Sequence, residues 1–470
     1  MWTSGKIAEH LKGQLYGDAA VPFKGGCALD SRQVKPGEIF VALKGEKTDG
    51  HLFLSNALAT GATIAIAEKS GLAGYGLPPI PEGKAVIEVE NSREALQSLA
   101  KAWRGEINPK VIGITGSTGK TTTKDMVAAV LAQKYRVYKN KENHNNEIGL
   151  PLTILEAAED TEVLVLEMGM RGLGQIDALC QICSPTVGVI TNIGTTHLEL
   201  LGTQERIAQA KWELIANLPA EGIAVLNAED YHSVKLAANS KRQIIFYGLE
   251  GRYAEPHVQG MSLKPSGSLH TFFQAKAQGE SCEVRLPLPG EHNVLDALAA
   301  LAVGLVCGVS LKQGSQALAD FELSSMRLEV IPGINGSTIL SDVYNANPAS
   351  MQASLKILAE RGGAKTIAIL GEMYELGEAA VSGHREVGQA VARLGINKLV
   401  TVGPLAEEIA QGALTGGLAL EQIHTCADCR QAAALTEQIL KETGAGAWIL
   451  IKGSRGMRME RITELLRRKE

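Results

Sequence analysis

The stretch with the greatest density of chemically useful groups is Gly113-Ile-Thr-Gly-Ser-Thr-Gly-Lys-Thr-Thr122. Consecutive backbone N–H groups from Gly116, Ser117, Thr118 and Gly119 can wrap a polyphosphate at a helix N-terminus. Lys120 adds a point charge, and Thr121, followed by Thr122, offers a hydroxyl to magnesium. The apolar strand Lys110-Val-Ile precedes the loop, and a helix with Met126, Val127, Val130 and Leu131 on one face follows it. Strand, loop and helix are the context that a phosphate loop needs, although Ile114 stands where strict G-x-x-x-x-G-K-T spacing calls for glycine. The stretch predicts binding of ATP or GTP and leaves the reaction open.

Other polar residues fall at strand ends. Glu167 closes Val163-Leu-Val-Leu-Glu, and in an open parallel sheet the carboxyl ends of strands face the ligand crevice. Its carboxylate either reaches a magnesium on the phosphates or ends in solvent. Thr191-Asn-Ile-Gly-Thr-Thr-His197 follows the next strand and puts Asn192 and His197 at the same edge. Lys211 lies on the apolar stripe of a helix from Gln204 to Leu218, between Ile207 and Leu214. A lysine there either snorkels or works: a partly buried amine loses its proton more readily and can then take up carbon dioxide as a carbamate.

The elements that must position these groups read as α/β throughout. Residues 1–107 carry short strands at 38–43, 62–67 and 85–90, with helices at 51–60 and 92–104, and Asn108-Pro109 marks a boundary. Residues 108–324 repeat apolar strand, turn and helix, with strands beginning at Val111, Val163, Val187, Ile223 and Ile244. That pattern predicts a largely parallel sheet covered on both faces. Residues 251–290 read as antiparallel strands on its edge, and helices at 293–307 and 311–319 close the unit. Residues 325–470 form a third, doubly wound unit with strands at 338–342, 366–370, 398–402 and 448–451.

Composition narrows the classes further. Length 470 and 45% hydrophobic residues allow two or three domains with real cores. Lys+Arg 46 against Asp+Glu 51 gives a net charge of -5, which provides no long-range field for nucleic acid or an anionic membrane. No apolar run is long enough to cross a bilayer and no signal pattern opens the chain, so a cytoplasmic protein is expected. Seven cysteines argue for a reducing compartment. Cys180/Cys183 and Cys426/Cys429 have C-x-x-C spacing and read as core and loop residues or, less readily, as zinc ligands.

Taken together, Thr115-Gly-Ser-Thr-Gly-Lys-Thr121, Glu167-Met-Gly169, Asn192-Ile-Gly-Thr-Thr-His197, Ala210-Lys211 and Gly290-Glu-His-Asn293 resemble the Mur ligases of bacterial cell-wall synthesis. Supporting stretches include Asp30-Ser-Arg32, Asn143-His-Asn-Asn-Glu-Ile-Gly-Leu-Pro151, Asp342-Val-Tyr-Asn-Ala-Asn-Pro348, Gly371-Glu-Met-Tyr-Glu-Leu-Gly377 and Lys452-Gly-Ser-Arg-Gly-Met457. The resemblance implies three domains: a small α/β N-terminal domain holding a uridine nucleotide, a central phosphate-loop domain and a C-terminal Rossmann-like domain that closes on the site. It implies ATP-dependent joining of D-alanyl-D-alanine to UDP-N-acetylmuramoyl-tripeptide by a monomer through an acyl phosphate. By the same resemblance Thr121 and Glu167 hold one magnesium ion, and His197 with a carbamylated Lys211 a second. Asn293 contacts adenine, while Arg327 and Asp342 reach the phosphates and ribose. Ser31, Arg32, Asn143, Asn145, Asn146, Asn192, Asn345 and Asn347 are implied for the substrates, and Glu372 and Glu375 are candidates for the base or for positioning. Asp296 stands where the family often has a second asparagine, so an acceptor-only group replaces an amide. Glu142 and Thr196 also depart from the family pattern.

Overall fold

A computed structural model describes residues 2–141, 143–196, 198–265, 270–321 and 326–468. Three large sheets, beside the two-stranded pair of Trp2–Thr3 with Pro22–Phe23, organise the described residues. The first has five strands in the spatial order Gln14–Gly17, Ala85–Val89, Ile64–Glu68, Ile39–Val41 and Cys27–Ala28, all parallel except for Gln14–Gly17. Gln14–Gly17 and the preceding helix Ser4–Leu11 carry too few periodic apolar residues to be evident in sequence. The helix is nonetheless capped by Thr3, whose Oγ1 accepts the Lys6 N–H at 3.4 Å.

The central sheet has nine strands: Glu280–Leu286, Thr271–Ala277, Val258–Pro265, Gln243–Gly248, Ile223–Asn227, Val187–Ile190, Lys110–Thr115, Val163–Glu167 and Val137–Lys139. The expected strand Val111–Thr115 lies inside it, between Val163–Glu167 and Val187–Ile190, two later strands that the chain lays down on opposite sides of it, which makes its carboxyl end the topological switch point. The antiparallel edge expected over residues 251–290 is present, and the structure adds how it joins the sheet. Val258–Pro265 pairs parallel to Gln243–Gly248, and only the two strands after it are antiparallel. The cause is the intervening loop. The Glu229 carboxylate accepts the N–H groups of Leu249, Glu250, Gly251 and Arg252, and so carries the chain back to enter the sheet in its original direction.

The third sheet runs Glu329–Pro332, Thr338–Asp342, Trp448–Lys452, Thr366–Gly371, Lys398–Val402 and Ile423–Cys426, parallel apart from the first strand. Packing joins the first two sheets firmly. The helix Ser92–Ile107 buries Leu96, Leu99 and Trp103 in a core that continues into the helix Gly149–Glu156 of the central unit. Trp103 meets Phe23 edge-on at 4.9 Å between ring centroids, and its indole N–H donates to the Ala157 carbonyl at 3.0 Å. Such a pair adds about 0.5–1.5 kcal/mol beyond the area it buries. The third sheet keeps separate cores of its own. Among the described residues no helix is long and apolar enough to cross a membrane.

Candidate active site

The phosphate loop leaves the carboxyl end of Lys110–Thr115 and enters the helix Lys120–Leu131. Two glycines are required by space. Gly116 has φ 153, and a Cβ there would lie 1.8 Å from Thr191 Oγ1; Gly119 has φ 78 and rests on the Asp296 carboxylate. The segment after Val187–Ile190 clamps the loop. Asn192 accepts the Thr118 N–H at 3.0 Å and donates to Thr118 Oγ1 at 2.8 Å, while the Gly194 N–H donates to Ser117 Oγ at 2.9 Å. The Asn192 amide thus braces the loop, and the residue, expected at the substrates, also lines the cleft beside it. Lys120 Nζ lies along the loop, donating to the Gly116 carbonyl at 2.8 Å, and burial lowers its pKa against the opposing pull of Glu167.

Glu167 ends the neighbouring strand and is 3% exposed. Each of its oxygens takes a neutral donor: Oε2 accepts the Thr121 hydroxyl at 2.7 Å, and Oε1 accepts the Asn145 amide at 2.9 Å. From the opposite wall, Arg327 Nη2 donates to the same Thr121 oxygen at 2.8 Å and lays its guanidinium 4.1 Å from the centre of the Tyr344 ring. Lys211, in the helix Gln204–Ala216, is 1% exposed and lines the same cleft, so it does not snorkel to bulk solvent. Burial drives its pKa well below the ordinary lysine value, Lys120 adds to the effect, and Asp230 opposes it. His197 and Glu142 lie outside the described residues.

The cleft has a volume of about 1180 Å³ and lies between the central and C-terminal units. Asn143, Asn145, Asn146, Asn293, Asp342, Asn345 and Asn347 all line it, whereas Ser31 and Arg32 do not. Arg32 instead pairs with Asp30 at 2.6 Å on the exposed face of the first unit, and its hydrogen bonds hold the Asp30 carboxyl down at about 2. Several asparagines are committed locally. Asn146 accepts the N–H groups of Ile148 and Gly149, and Asn347 caps the helix Pro348–Gly362 by accepting the Ser350 N–H at 2.9 Å. Asn345 accepts the N–H of Ala346, and Asn293 donates to the Pro289 carbonyl at 2.7 Å. Asp342 is paired with Lys452 and accepts Ser354 Oγ at 2.8 Å. Burial raises its pKa, but the ammonium more than offsets this and holds it below the usual value.

Two further groups depart from their sequence readings, Asp296 and Glu372, while Glu375 keeps its own. Asp296 lies under the phosphate loop, where Oδ1 accepts Thr123 Oγ1 at 2.9 Å, and burial pushes its pKa up to about 8. Glu372 does not line the cleft. It is 8% exposed and accepts the Leu405 N–H at 2.9 Å, which makes it a brace for the turn at Gly403 and removes it as a candidate base. Glu375 does line the cleft, at φ 63, with Oε1 3.6 Å from Arg171 Nη2. Two residues on, Gly377 has φ 53, and a Cβ on it would lie 2.8 Å from the Glu199 Cα, so this loop of the C-terminal unit touches the central one. The cysteines are free, and no cluster of three metal-ligating side chains occurs among the described residues.

Sequence reasoning marked Lys452 within a motif without giving it a role, and missed the buried pair Lys124 and Asn140; Lys452 pairs with Asp342 and donates to the Asn345 carbonyl at 3.1 Å. Lys124 had a signal available, because it lies one turn after Lys120 on the same face of the helix.

The chain matches the signatures of three domains along its length: the Mur ligase family catalytic domain over residues 25–104, the Mur ligase middle domain over 114–304, and the Mur ligase glutamate ligase domain over 326–455. It is 36% identical over 468 residues to the UDP-N-acetylmuramoyl-tripeptide--D-alanyl-D-alanine ligase of Bacillus subtilis, covering 98% of this chain and 97% of that protein. It is 30% identical to the Escherichia coli enzyme of the same name over 99% of this chain and 98% of that one. Among solved structures, the MurF of Acinetobacter baumannii superposes with a TM-score of 0.85 at 29% identity, covering 98% of each chain. The MurF of Thermotoga maritima in complex with ADP superposes with 0.78 at 30% identity, over 94% of this chain and 97% of that one. A phosphate loop whose threonine meets a carboxylate from one side and an arginine from the other, in a three-sheet chain matched from end to end, leaves one conclusion: the chain belongs to the Mur ligase family.

Proposed function

We propose that the chain is an ATP-dependent ligase that joins D-alanyl-D-alanine to UDP-N-acetylmuramoyl-tripeptide and yields ADP, phosphate and the pentapeptide precursor. The observation that carries this reading is the convergence on Thr121 of Glu167 from the central sheet and Arg327 from the C-terminal unit, in a chain whose full-length relatives bear that activity's name. On this reading the protein works in the cytoplasm as a monomer, with residues 1–107, 108–324 and 325–470 as its uridine-nucleotide, ATP and closing domains.

A carboxylate is a poor electrophile, so its oxygen first attacks the γ-phosphorus of ATP, forming an acyl phosphate and releasing ADP. The dipeptide amine then attacks the acyl carbon, the C–N bond forms, and the phosphate leaves with the electrons of the broken C–O bond. The loop N–H groups and Lys120 hold the β- and γ-phosphates and take up the charge that shifts onto the leaving ADP. Arg327 adds a planar donor from the opposite wall. Walls from two units exclude the water that would hydrolyse the acyl phosphate. Glu375, which lines the cleft, would orient the incoming dipeptide or accept its proton.

The donors present suit magnesium. Thr121 and Glu167 offer hard oxygens, and the hydrogen bonds from Thr121 and Asn145 to the buried carboxylate come from neutral groups, so these contacts leave its charge available to a cation. His197 and a carbamate on Lys211 would hold a second ion, and the depressed Lys211 amine is the form that takes up carbon dioxide. Magnesium, when bound, supplies neutralisation of the crowded phosphate oxygens. The test is phosphate release from ATP in the presence of UDP-N-acetylmuramoyl-tripeptide, with D-alanyl-D-alanine or single amino acids as acceptor and the nucleotide product weighed by mass spectrometry. Release and addition of one dipeptide, dependent on both substrates, is the expected result. Addition of a single amino acid, or no release with any acceptor, overturns the reading.

A further inference from the structure

We infer that Asn140 is a positioning residue for Glu167, locking the carboxylate to the asparagine loop that orients it. The edge strand Val137–Lys139 pairs with Val163–Val165, and the ladder ends at the partners Lys139 and Val165. The Asn140 side chain then takes over the role of a strand. Its Oδ1 accepts the Glu167 N–H at 2.9 Å and its Nδ2 donates to the Glu167 carbonyl at 3.0 Å, as a further peptide group would. The same Nδ2 donates to the His144 carbonyl at 2.9 Å. Asn145, the next residue, holds Glu167 Oε1. One amide therefore fixes the backbone of the carboxylate residue and the loop that aims its side chain.

Asn140 is itself held. It is 1% exposed, and its backbone carbonyl accepts the buried Lys124 ammonium at 3.0 Å. Lys124 belongs to the phosphate-loop helix, so the chain of contacts returns to the nucleotide site. The geometry is selective for asparagine. Aspartate keeps the acceptor, loses both donors and adds a negative charge beside Glu167, and serine has one donor for the two carbonyls, of Glu167 and His144, that the amide serves. A residue that only filled the sheet edge would contribute stability without affecting what Glu167 binds.

The inference rests on the reading of Glu167 as a cation ligand, and the test separates the two. In the full-length protein with ADP, Mn2+ affinity is measured by electron paramagnetic resonance for the wild type and for Asn140→Ala, Asn140→Ser and Glu167→Gln, with folding followed by circular dichroism. Groups that orient a ligand typically change metal affinity about 10–100-fold. Asn140→Ala should therefore weaken Mn2+ binding about 10-fold and Asn140→Ser by less, while cation-free ADP affinity stays within about two-fold. Should the alanine variant not fold, the serine variant carries the comparison. If Glu167→Gln loses Mn2+ while the folded Asn140 variants keep it within two-fold, the positioning role is overturned and the ligand role stands. If Glu167→Gln keeps Mn2+ as well, the ligand role falls and the inference falls with it.

Discussion

Replacing Asp296 with asparagine should make the protein more stable and flatten its response to pH. Asp296 is 6% exposed, and its hydrogen bond from Thr123 and the charge of Arg327 do not offset the cost of burial. An exposed aspartate ionises at 3.8, this one at about 8. Between those values the unfolded chain has given up a proton that the folded chain keeps, so stability falls as pH rises through the interval and levels off above it. Each pH unit is worth about 1.4 kcal/mol, so the loss is about 2 kcal/mol by pH 5.5 and about 4 kcal/mol by pH 7, as upper bounds. Asparagine has the same shape, accepts the Thr123 hydroxyl and has no charge to desolvate. In a unit the size of the central one, about 4 kcal/mol corresponds to a melting shift on the order of 10 °C. Differential scanning calorimetry of the wild type and Asp296→Asn from pH 5.5 to 8.5 should show a gap that widens towards neutral pH. Because the carboxylate touches Gly119, ATP affinity should also fall above pH 8 in the wild type and hold in the variant. Parallel pH slopes, or a variant less stable at every pH, would refute the reasoning.

Three other perturbations follow from the site. Lys211→Ala should reduce ligation by about 100-fold or more, a loss of the size expected when a group stabilising transferring charge is removed, and acetate should restore part of it by placing a carboxylate in the vacated space. Steady-state rates with and without acetate check this, and indifference to acetate counts against a carbamate. Gly377→Ala puts a methyl against the Glu199 backbone at a left-handed φ and so disfavours the contact between the two units; kcat/KM should fall by about 10–100-fold, and ATP affinity measured by calorimetry should weaken with it. Asn192→Ala removes the three hydrogen bonds of its amide to Thr118 of the phosphate loop, together worth about 2 kcal/mol because two share one nitrogen, and should weaken ATP binding by about 10–30-fold without shifting the dipeptide KM.

Much of this site could be read directly because its parts are contiguous. The strand, loop and helix from Lys110 to Leu131 declare themselves by spacing, and Glu167 by its place at the end of an apolar run. Less legible were roles decided by which groups meet across the fold. Asn192 and Glu372 are polar residues in suggestive motifs, yet each spends its side chain on a neighbouring backbone, because a buried loop with unpaired N–H groups would be costly. Asn140 had no motif at all. Its importance comes from the ladder ending one residue short of it, and only the register shows that. The parallel entry of Val258–Pro265 escaped for a similar reason, since four N–H groups converge on one distant carboxylate, Glu229.

The hydrogen bond from Arg327 to Thr121 crosses between two separately cored units. If the arginine also holds phosphate oxygens, nucleotide affinity and the equilibrium between open and closed arrangements are linked quantities, and each must shift the other by the same factor. A nucleotide that engages Arg327 draws the units together, and anything that draws them together raises nucleotide affinity equally. The acceptor peptide can therefore tighten ATP binding without touching ATP, and spent ADP, with one phosphate fewer for the guanidinium to hold, loosens the pair and favours its own escape.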